Sequence, residues 1–296
     1  MIKSLSICIP TYNRALYLKR CLESLKNQNT FQIDYEIVII NDGGNDKTEE
    51  LVSQFKKNLQ IKYYYQSNQG RCGALRKAIL IASKKYTILM DDDCFFSNDF
   101  FYAIKHIKLP PNYQSYAGFV FLRGDENKKL IGNYFKSDYL YSDLISIRKK
   151  FKKVGEMTEI VESKILKSYI YPSFSNEKRI SSDSLWIPIS EEYNFYFINK
   201  IIRFTSYLND GISKNLFINK INSPNATIYY YEKICLSTKY NVLDKIFALI
   251  NIGRFYFHNE KIKLKQKRNL ILIYSGLIFI SFLLYIIDKI RLFLKN

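Results

Sequence analysis

Two histidines, His106 and His258, are all the chain has in 296 residues. Neither stands in a catalytic context, and each reads as a structural or solvated side chain. Five cysteines, Cys8, Cys21, Cys72, Cys94 and Cys235, are scattered and odd in number. They make neither a disulfide framework nor a metal cluster, which points to a reducing compartment. There is no P-loop and no G-x-G-x-x-G, so two common phosphate cradles are excluded. There is no zinc-finger spacing, RNP-like strand or compact basic recognition helix, so nucleic acid is not the expected partner. The apolar part of the N-terminus, MIKSLSICIP, is too short for a signal peptide and reads as an immediate first strand. The catalytic part is therefore expected in the cytosol. Acid is also scarce, with 27 carboxylates against 45 basic residues and a net charge of +18. Such a balance suits a phosphorylated substrate or an anionic membrane surface.

What is present is a full core, with 47% hydrophobic residues. The length allows one large domain or a domain with appendages. The most informative stretch is Tyr86–Asp93, YTILMDDD. An apolar run reads as a buried strand and ends abruptly in three carboxylates. Ligands of open α/β sheets gather beyond the carboxyl ends of strands. Three adjacent aspartates repel one another unless a cation sits among them. Hard oxygen ligands suit Mg²⁺ or Mn²⁺ bound with a diphosphate, although a solvated acidic turn reads equally well from the triplet alone.

Three earlier units share this strand–loop–helix plan. Leu5–Ile9 is an apolar run stopped by Pro10, and Asn13 is placed to cap a helix carrying Leu18, Leu22 and Leu25. Tyr35–Ile40 runs into NDGGND, so Asp42 stands directly after a strand, on the same sheet edge as Thr11. Asp46 and Glu49 have capping-box spacing, which makes Asp46 structural. Ile61–Tyr65 precedes SNQGRCGALRKAI, whose Ala74, Ala78, Ile79 and Ala82 form a narrow apolar helix face. Arg71 and Arg76 lie near the start of that helix, where anions are favoured, and Arg76 is expected to turn toward the sheet edge. Repetition of the unit predicts an α/β nucleotide-binding domain.

PTYNR at Pro10–Arg14, the strand with NDGG at Ile37–Gly44, NQG at Asn68–Gly70 and the DxD-like Asp91–Asp93 occur in an order that resembles family 2 glycosyltransferases. The resemblance covers roughly residues 1–235, and relatives that build bacterial surface polysaccharides come nearest in pattern. It implies a GT-A, Rossmann-like fold with a mostly parallel central sheet flanked by helices. It further implies that Thr11 and Asp42 hold the uracil of a UDP-sugar and that Asp91 faces the ribose. Asn68 and Asp92 would belong to the donor site, Asp93 would bind Mn²⁺ or Mg²⁺, and Arg76 would lie by the nucleotide or diphosphate. The chain departs from the family pattern at Ala74–Lys77, where relatives have Ala-Arg-Asn, and at Cys94, where a fourth carboxylate is customary.

Beyond residue 97 the pattern loosens. Ala117–Leu122 reads as a strand, Arg123–Lys129 as a hairpin turn and Leu130–Phe135 as the returning strand. Tyr139–Ile147 and Phe151–Val154 are open. Ser163–Lys178 contains PSFSNEK, which reads as a flexible loop. Ser181 or Ser182 can cap a helix with Asp183 in its first turn, where an acid is also a plain dipole contact. The resemblance makes Asp183 the general base of an inverting transfer, with Ser182 in place of the family's preceding Glu. Ile198–Tyr207 reads as a strand leading to a turn at Asp210–Gly211.

Residues 236–296 are expected to attach the 1–235 domain to a membrane. Residues 1–97 would mainly bind donor and 98–235 mainly acceptor. Tyr240–Phe257 has a helical apolar pattern, and basic Lys261–Arg268 follows. Leu270–Ile287 carries no charge and is at the threshold for a single span, with a helix lying at the interface as the alternative. Together these features predict a UDP-sugar-dependent enzyme at the cytoplasmic face of a bacterial membrane, acting on a lipid-linked saccharide. A degenerate nucleotide- or glycan-binding scaffold and a nucleotidyltransferase are the alternatives.

Overall fold

A computed structural model describes residues 2–108, 116–150, 156–206, 216–259 and 277–294. It divides into two compact units, 1–171 with 192–211, and 172–191 with 212–296. The units therefore do not part at residue 235 as the sequence reading had it.

The first unit is built on one sheet. Strands β1 (Ser4–Thr11), β2 (Asp34–Asn41), β3 (Ile61–Tyr65) and β4 (Tyr86–Leu89) alternate with helices α1 (Ala15–Lys26), α2 (Thr48–Phe55) and α3 (Gly70–Ile81). Strands β1, β2 and β4 are largely apolar because both of their faces are covered, while β3 is the exposed edge. Alternate residues point to opposite faces. Ile7, Ile9, Ile37 and Ile39 pack with Leu18, Cys21, Leu22 and Leu25 of α1. Cys8, Val38 and Ile40 pack instead on Ala74, Ala78 and Ala82. The small alanines let α3 approach the sheet closely.

Five further strands complete the sheet: β5 (Cys94–Phe96), β6 (Gly118–Asp125), β7 (Leu140–Ser142), β8 (Met157–Glu162) and β9 (Phe195–Thr205). The order is β3-β2-β1-β4-β8-β6-β9-β5, with β7 paired to β9. The β3-β2-β1-β4 portion is parallel. Beyond β4 the sheet is mixed, with β8 antiparallel to β4 and β6, and β5 and β7 antiparallel to β9. The mostly parallel sheet expected from sequence is thus corrected, because only the first half is built from crossover helices.

Two local readings also change. Leu130–Phe135 forms no named strand: Leu130 bridges Gly124 and Ile131 N donates to Arg123 O at 2.9 Å, but no ladder extends to Phe135. Gly132 has a φ of 93°, and Phe135 N donates instead to Asn199 Oδ1 at 2.7 Å. Helices α4 (Phe100–Lys105), α5 (Leu144–Lys150) and α6 (Ser163–Ser168) also belong to this unit. Asn13 does not cap α1. It adopts a φ of 52°, and its Oδ1 accepts from Asn45 N at 2.8 Å.

The second unit contains helices α7 (Asp183–Glu192), α8 (Leu216–Ile221), α9 (Pro224–Leu236), α10 (Val242–His258) and α11 (Ile278–Phe293). The last residue of α7, Glu192, falls in the first unit. Among the described residues no helix is long and apolar enough to cross a membrane. Much of the 270–287 segment, the 261–268 stretch, the 151–154 segment and the 210–211 turn lie outside the described residues.

Candidate active site

The order β3-β2-β1-β4 puts neighbours of β1 on either side of it, reached by connections that run in opposite directions. The carboxyl ends of β1 and β4 therefore border a crevice at a topological switch point. The first side chain there is Thr11, which closes β1 and is 3% exposed. Its Oγ1 donates to Asp92 Oδ2 at 2.8 Å, so the ends of β1 and β4 are joined directly.

The loops after β1 and β2 are stitched together. Asn45 N donates to Asn13 Oδ1, and Ala15 N at the start of α1 donates to Asp46 Oδ2, both at 2.8 Å. Asp46 Oδ1 also accepts from Thr48 N and Thr48 Oγ1, which bears out its structural reading. A Cβ at Gly44 would meet Asn41 Oδ1 at 2.8 Å and Asn13 N at 2.9 Å, so the residue there must be glycine. Asp42 is buried. Its Oδ1 accepts from Gln66 Nε2 at 2.7 Å and Gln69 N at 2.9 Å, which ties the β2 loop to the NQG segment. Gly43, with a φ of 86°, lies against Asn68, since a Cβ there would come within 2.9 Å of Asn68 N.

Asp91, Asp92 and Asp93 follow β4 and are surrounded by arginines. Asp91 is paired with Arg71 Nε at 2.5 Å. Burial works to raise the Asp91 pKa, but the Arg71 guanidinium, with Arg203 and Arg123 behind it, overcomes this and holds it at about 2. Asp92 is pushed by burial up to about 7, against the pull of Arg14 and the Thr11 hydroxyl. Burial and the Asp91 charge raise Asp93 as well, with Arg14 opposing. Arg14 Nη1 stands 3.4 Å from Asp92 and 3.5 Å from Asp93.

Two arginines emerge from the sheet itself. Arg123 on β6 and Arg203 on β9 face each other in register and are 6% and 4% exposed. Arg203 donates to Leu89 O and Met157 O, both at 3.0 Å, which ties β9 across to the end of β4. Arg123 donates to Cys94 Sγ at 3.1 Å and pairs with Glu156. Two like charges side by side would be costly without the carboxylates beside them.

Oxygens of Asp91 and Asp93 and the sulfur of Cys94 lie within 4.8 Å of one another. Burial pushes the Cys94 thiol up to about 11, so sulfur remains a neutral thiol and a poor ligand for a hard cation. The two carboxylates are the fitting donors. A divalent cation beside them would offset the repulsion that raises Asp93. Mg²⁺ and Mn²⁺ sites commonly use one or two carboxylates and take their remaining oxygens from phosphates and water.

Asp183 belongs to the second unit and opens α7. It lines a cavity of about 200 Å³ with Arg179, Ser181, Ser182, Lys220, Thr227 and Tyr230. The cavity combines one carboxylate, two cations, three hydroxyls and an aromatic ring, a lining suited to a polar acceptor. Glu177 accepts from Asn225 N and Ala226 N at 3.0 and 2.8 Å, which caps α9 and holds the 172–182 segment against it.

The helix α3 places its two arginines differently from the sequence expectation. Arg71, in the first turn, reaches Asp91. Arg76 is half-buried further along the helix, and its Nε has no hydrogen-bond partner among the described residues. Arg14, Gln66, Arg123 and Arg203 were not singled out from sequence. Arg203 left only a weak signal, because its strand FYFINKIIRFT also carries Asn199 and Lys200.

The model of the family described as glycosyl transferase family 2 matches residues 6–162, which include every element from β1 through β8. The chain belongs to glycosyl transferase family 2. Its relatives within and around that family include chondroitin synthase of Escherichia coli, 33% identical over 53% of this chain and 21% of that protein. Abequosyltransferase RfbV of Salmonella typhimurium is 33% identical over 32% of this chain and 33% of its own length. This family 2 chain thus matches a third or less of the length of these curated relatives. Among solved structures, S. aureus TarS in complex with UDP-GlcNAc has a TM-score of 0.60 at 14% identity, covering 93% of this chain and 80% of that one. A mannosyltransferase, PcManGT from Pyrobaculum calidifontis in complex with GDP-Man and Mn²⁺, has a TM-score of 0.52 at 14% identity over 97% and 85%. These likenesses establish the α/β fold.

Proposed function

We propose that this family 2 chain is an inverting, metal-dependent glycosyltransferase that moves a hexose or N-acetylhexosamine from a UDP-sugar to a saccharide hydroxyl. The observation that carries the reading is the carboxylate triplet at the end of β4, with Arg14 and Arg71 paired to it. UDP-GlcNAc bound to TarS, a protein of like fold, supports a uridine donor. Mn²⁺ beside GDP-Man in PcManGT supports a metal.

In this reading Thr11 and Asp42 hold the uracil, Asn68 lies beside them and Asp91 faces the ribose. Asp92, bound to Thr11 and Arg14, positions the loop after β1. Asp93 holds Mn²⁺ or Mg²⁺, which when bound neutralises charge on the diphosphate leaving group. Arg71 and Arg76 add positive charge on the α3 side. An acceptor hydroxyl is a weak nucleophile until it loses its proton. Asp183 takes that proton as the new O–C1 bond forms and the bond from C1 to the diphosphate oxygen breaks. UDP departs from the face opposite the attacking oxygen, and the anomeric centre inverts. Asp183 later releases its proton to water. The acceptor is a lipid-linked polysaccharide precursor at the cytoplasmic face of a bacterial membrane.

Calorimetric binding of UDP, GDP, CDP and common UDP-sugars, with and without Mn²⁺, tests the donor site. Metal-dependent UDP binding in the wild type and its loss in Asp93→Ala are expected. A folded wild type that binds none of these nucleotides would refute the donor reading. Asp183→Asn should retain donor binding and lose transfer; unchanged transfer would remove Asp183 from the mechanism.

A further inference from the structure

Helix α11 is turned inside out. Its two fully buried residues are Ser281 and Asp288; Ile278, Leu284, Tyr285 and Leu292 are half-buried beside them, while Phe279, Ile290 and Phe293 are exposed. Positions 281 and 288 are two turns apart and share one stripe, so the polar stripe of this helix is the one that packs. A helix in water normally buries the opposite stripe.

That polar seam is closed by α10. Asp288 is fully buried and accepts from Arg254 Nε at 2.6 Å and, on its other oxygen, from Arg254 Nη2. The same carboxylate lies 2.9 Å from His258 Nε2. One turn and more away, Ser281 Oγ donates to Ile250 O at 2.9 Å. Gly253 admits this approach, since a Cβ there would fall 2.5 Å from Ser281 Oγ. The ionic contacts fix which sides of the two helices meet.

Their outer sides are then apolar. Leu243 and Phe247 on α10 are 76% and 60% exposed, and Phe279, Ile290 and Phe293 on α11 are 67%, 54% and 82% exposed. Scattered apolar residues are ordinary, but an outward apolar set on both members of one helix pair marks a surface that something covers. Charge identifies the cover. Lys245, Lys289 and Arg291 lie on these helices. Asp288 is consumed in the seam, and Asp244 is engaged in the capping box of α10. Apolar side chains bordered by cations and few free acids match the headgroup boundary of an anionic leaflet. A second copy of so basic a surface would face like charge.

We propose that α10 and α11 are a clasped helix pair that lies flat in the interface of an anionic membrane, with Asp288 as the clasp and the aromatic residues Phe247, Phe279 and Phe293 as the inserted anchors. The described helix α11 has 16 residues, about 24 Å, and carries Asp288, Lys289 and Arg291 near its end, which favours a helix lying in the interface. The inference is independent of the transfer reaction.

The test uses the full chain and preformed vesicles of phosphatidylcholine alone or with one third phosphatidylglycerol, read by co-sedimentation. Binding at least tenfold tighter to the anionic vesicles, weakened by 0.5 M salt, is expected. Phe247→Glu with Phe279→Glu should lower that binding at least tenfold, with circular dichroism confirming a folded chain. Membranes of expressing cells should release the protein into alkaline carbonate. Failure of the wild type to bind anionic vesicles would overturn the proposal. So would carbonate-resistant retention, which requires a span, or a dimer in light scattering that the double variant abolishes. Because nucleotide binding plays no part in these readouts, their failure leaves the donor-site reading standing.

Discussion

Glu36 offers a quantitative test of how the sheet is held at the end away from the carboxylates. It lies near the start of β2 and is 3% exposed. Its carboxylate accepts from Ser6 Oγ on β1, Ser83 N after α3 and Lys62 Nζ on β3, each at 2.6 Å, and from Ser83 Oγ at 3.0 Å. Burial acts to raise its pKa, but these four donations outweigh burial and lower it to about 2. The ordinary value is 4.5. A depressed folded-state pKa stabilises the fold above the unfolded pKa, and that stability disappears as pH falls through the folded value. The interval converts to roughly 3 kcal/mol at pH 7, falls to about half of that or less at pH 3 and is largely gone at pH 2. Glu36→Gln removes the titration and should therefore cost most at neutral pH. The assay is native-state hydrogen exchange of the β1–β3 amides in wild type and variant between pH 7 and pH 3, because two compact units need not unfold together. The stability gap should shrink by about half or more over that range. A gap that does not change with pH would refute the reasoning, since loss of neutral hydrogen bonds alone is pH-independent.

Arg71→Ala should destabilise the first unit by about 2 kcal/mol, below the usual cost of breaking a fully buried pair because the Arg71 side chain is 29% exposed. Arg71→Lys should recover part of this, measured by chemical denaturation, and an unchanged midpoint in the alanine variant would dissolve the Arg71–Asp91 linkage. Gly118→Ala places a Cβ 2.0 Å from Ile160 O, against backbone on the neighbouring strand β8. It should cost about 3 kcal/mol or prevent soluble expression, and a wild-type melting temperature would show that β6 and β8 can part at this point.

Strands β1, β2 and β4 were legible because each is largely buried on both faces and reads as an apolar run before a polar loop, whereas the exposed edge strand β3 was legible from its Ile and tyrosines. Thr11, Asp42 and Asp91–Asp93 fell on the correct edge for the same reason. The chain beyond residue 97 was harder to read for identifiable causes. Strand β9 pairs with β5, β6 and β7, with register shifts against β6, and such long-range pairings leave little local pattern. Leu130–Phe135 looks like a strand, but its pairing to β6 does not reach Phe135, whose N–H and C=O are held instead by Asn199, more than sixty positions away. The choice between Arg71 and Arg76 depended on where α3 begins. Gly70 opens it, so Arg71 stands in the turn nearest the strand ends and Arg76 lies about 7 Å further along the axis. The inverted packing of α11 was hidden because hydropathy alone does not reveal that a buried acid has partners on another helix.

The paired loops after β1 and β2 bear on any attempt to change donor choice. Asn13 serves the backbone of the second loop, and Asp46 serves the backbone of the first. Each loop thus supplies a part that the other lacks. Transplanting either one alone from a relative would strand an amide N–H and replace a rigid cradle by two independently moving arms. On the donor reading proposed above, the unit to exchange is the pair, spanning residues 11–48, because carrying both loops together keeps these mutual hydrogen bonds.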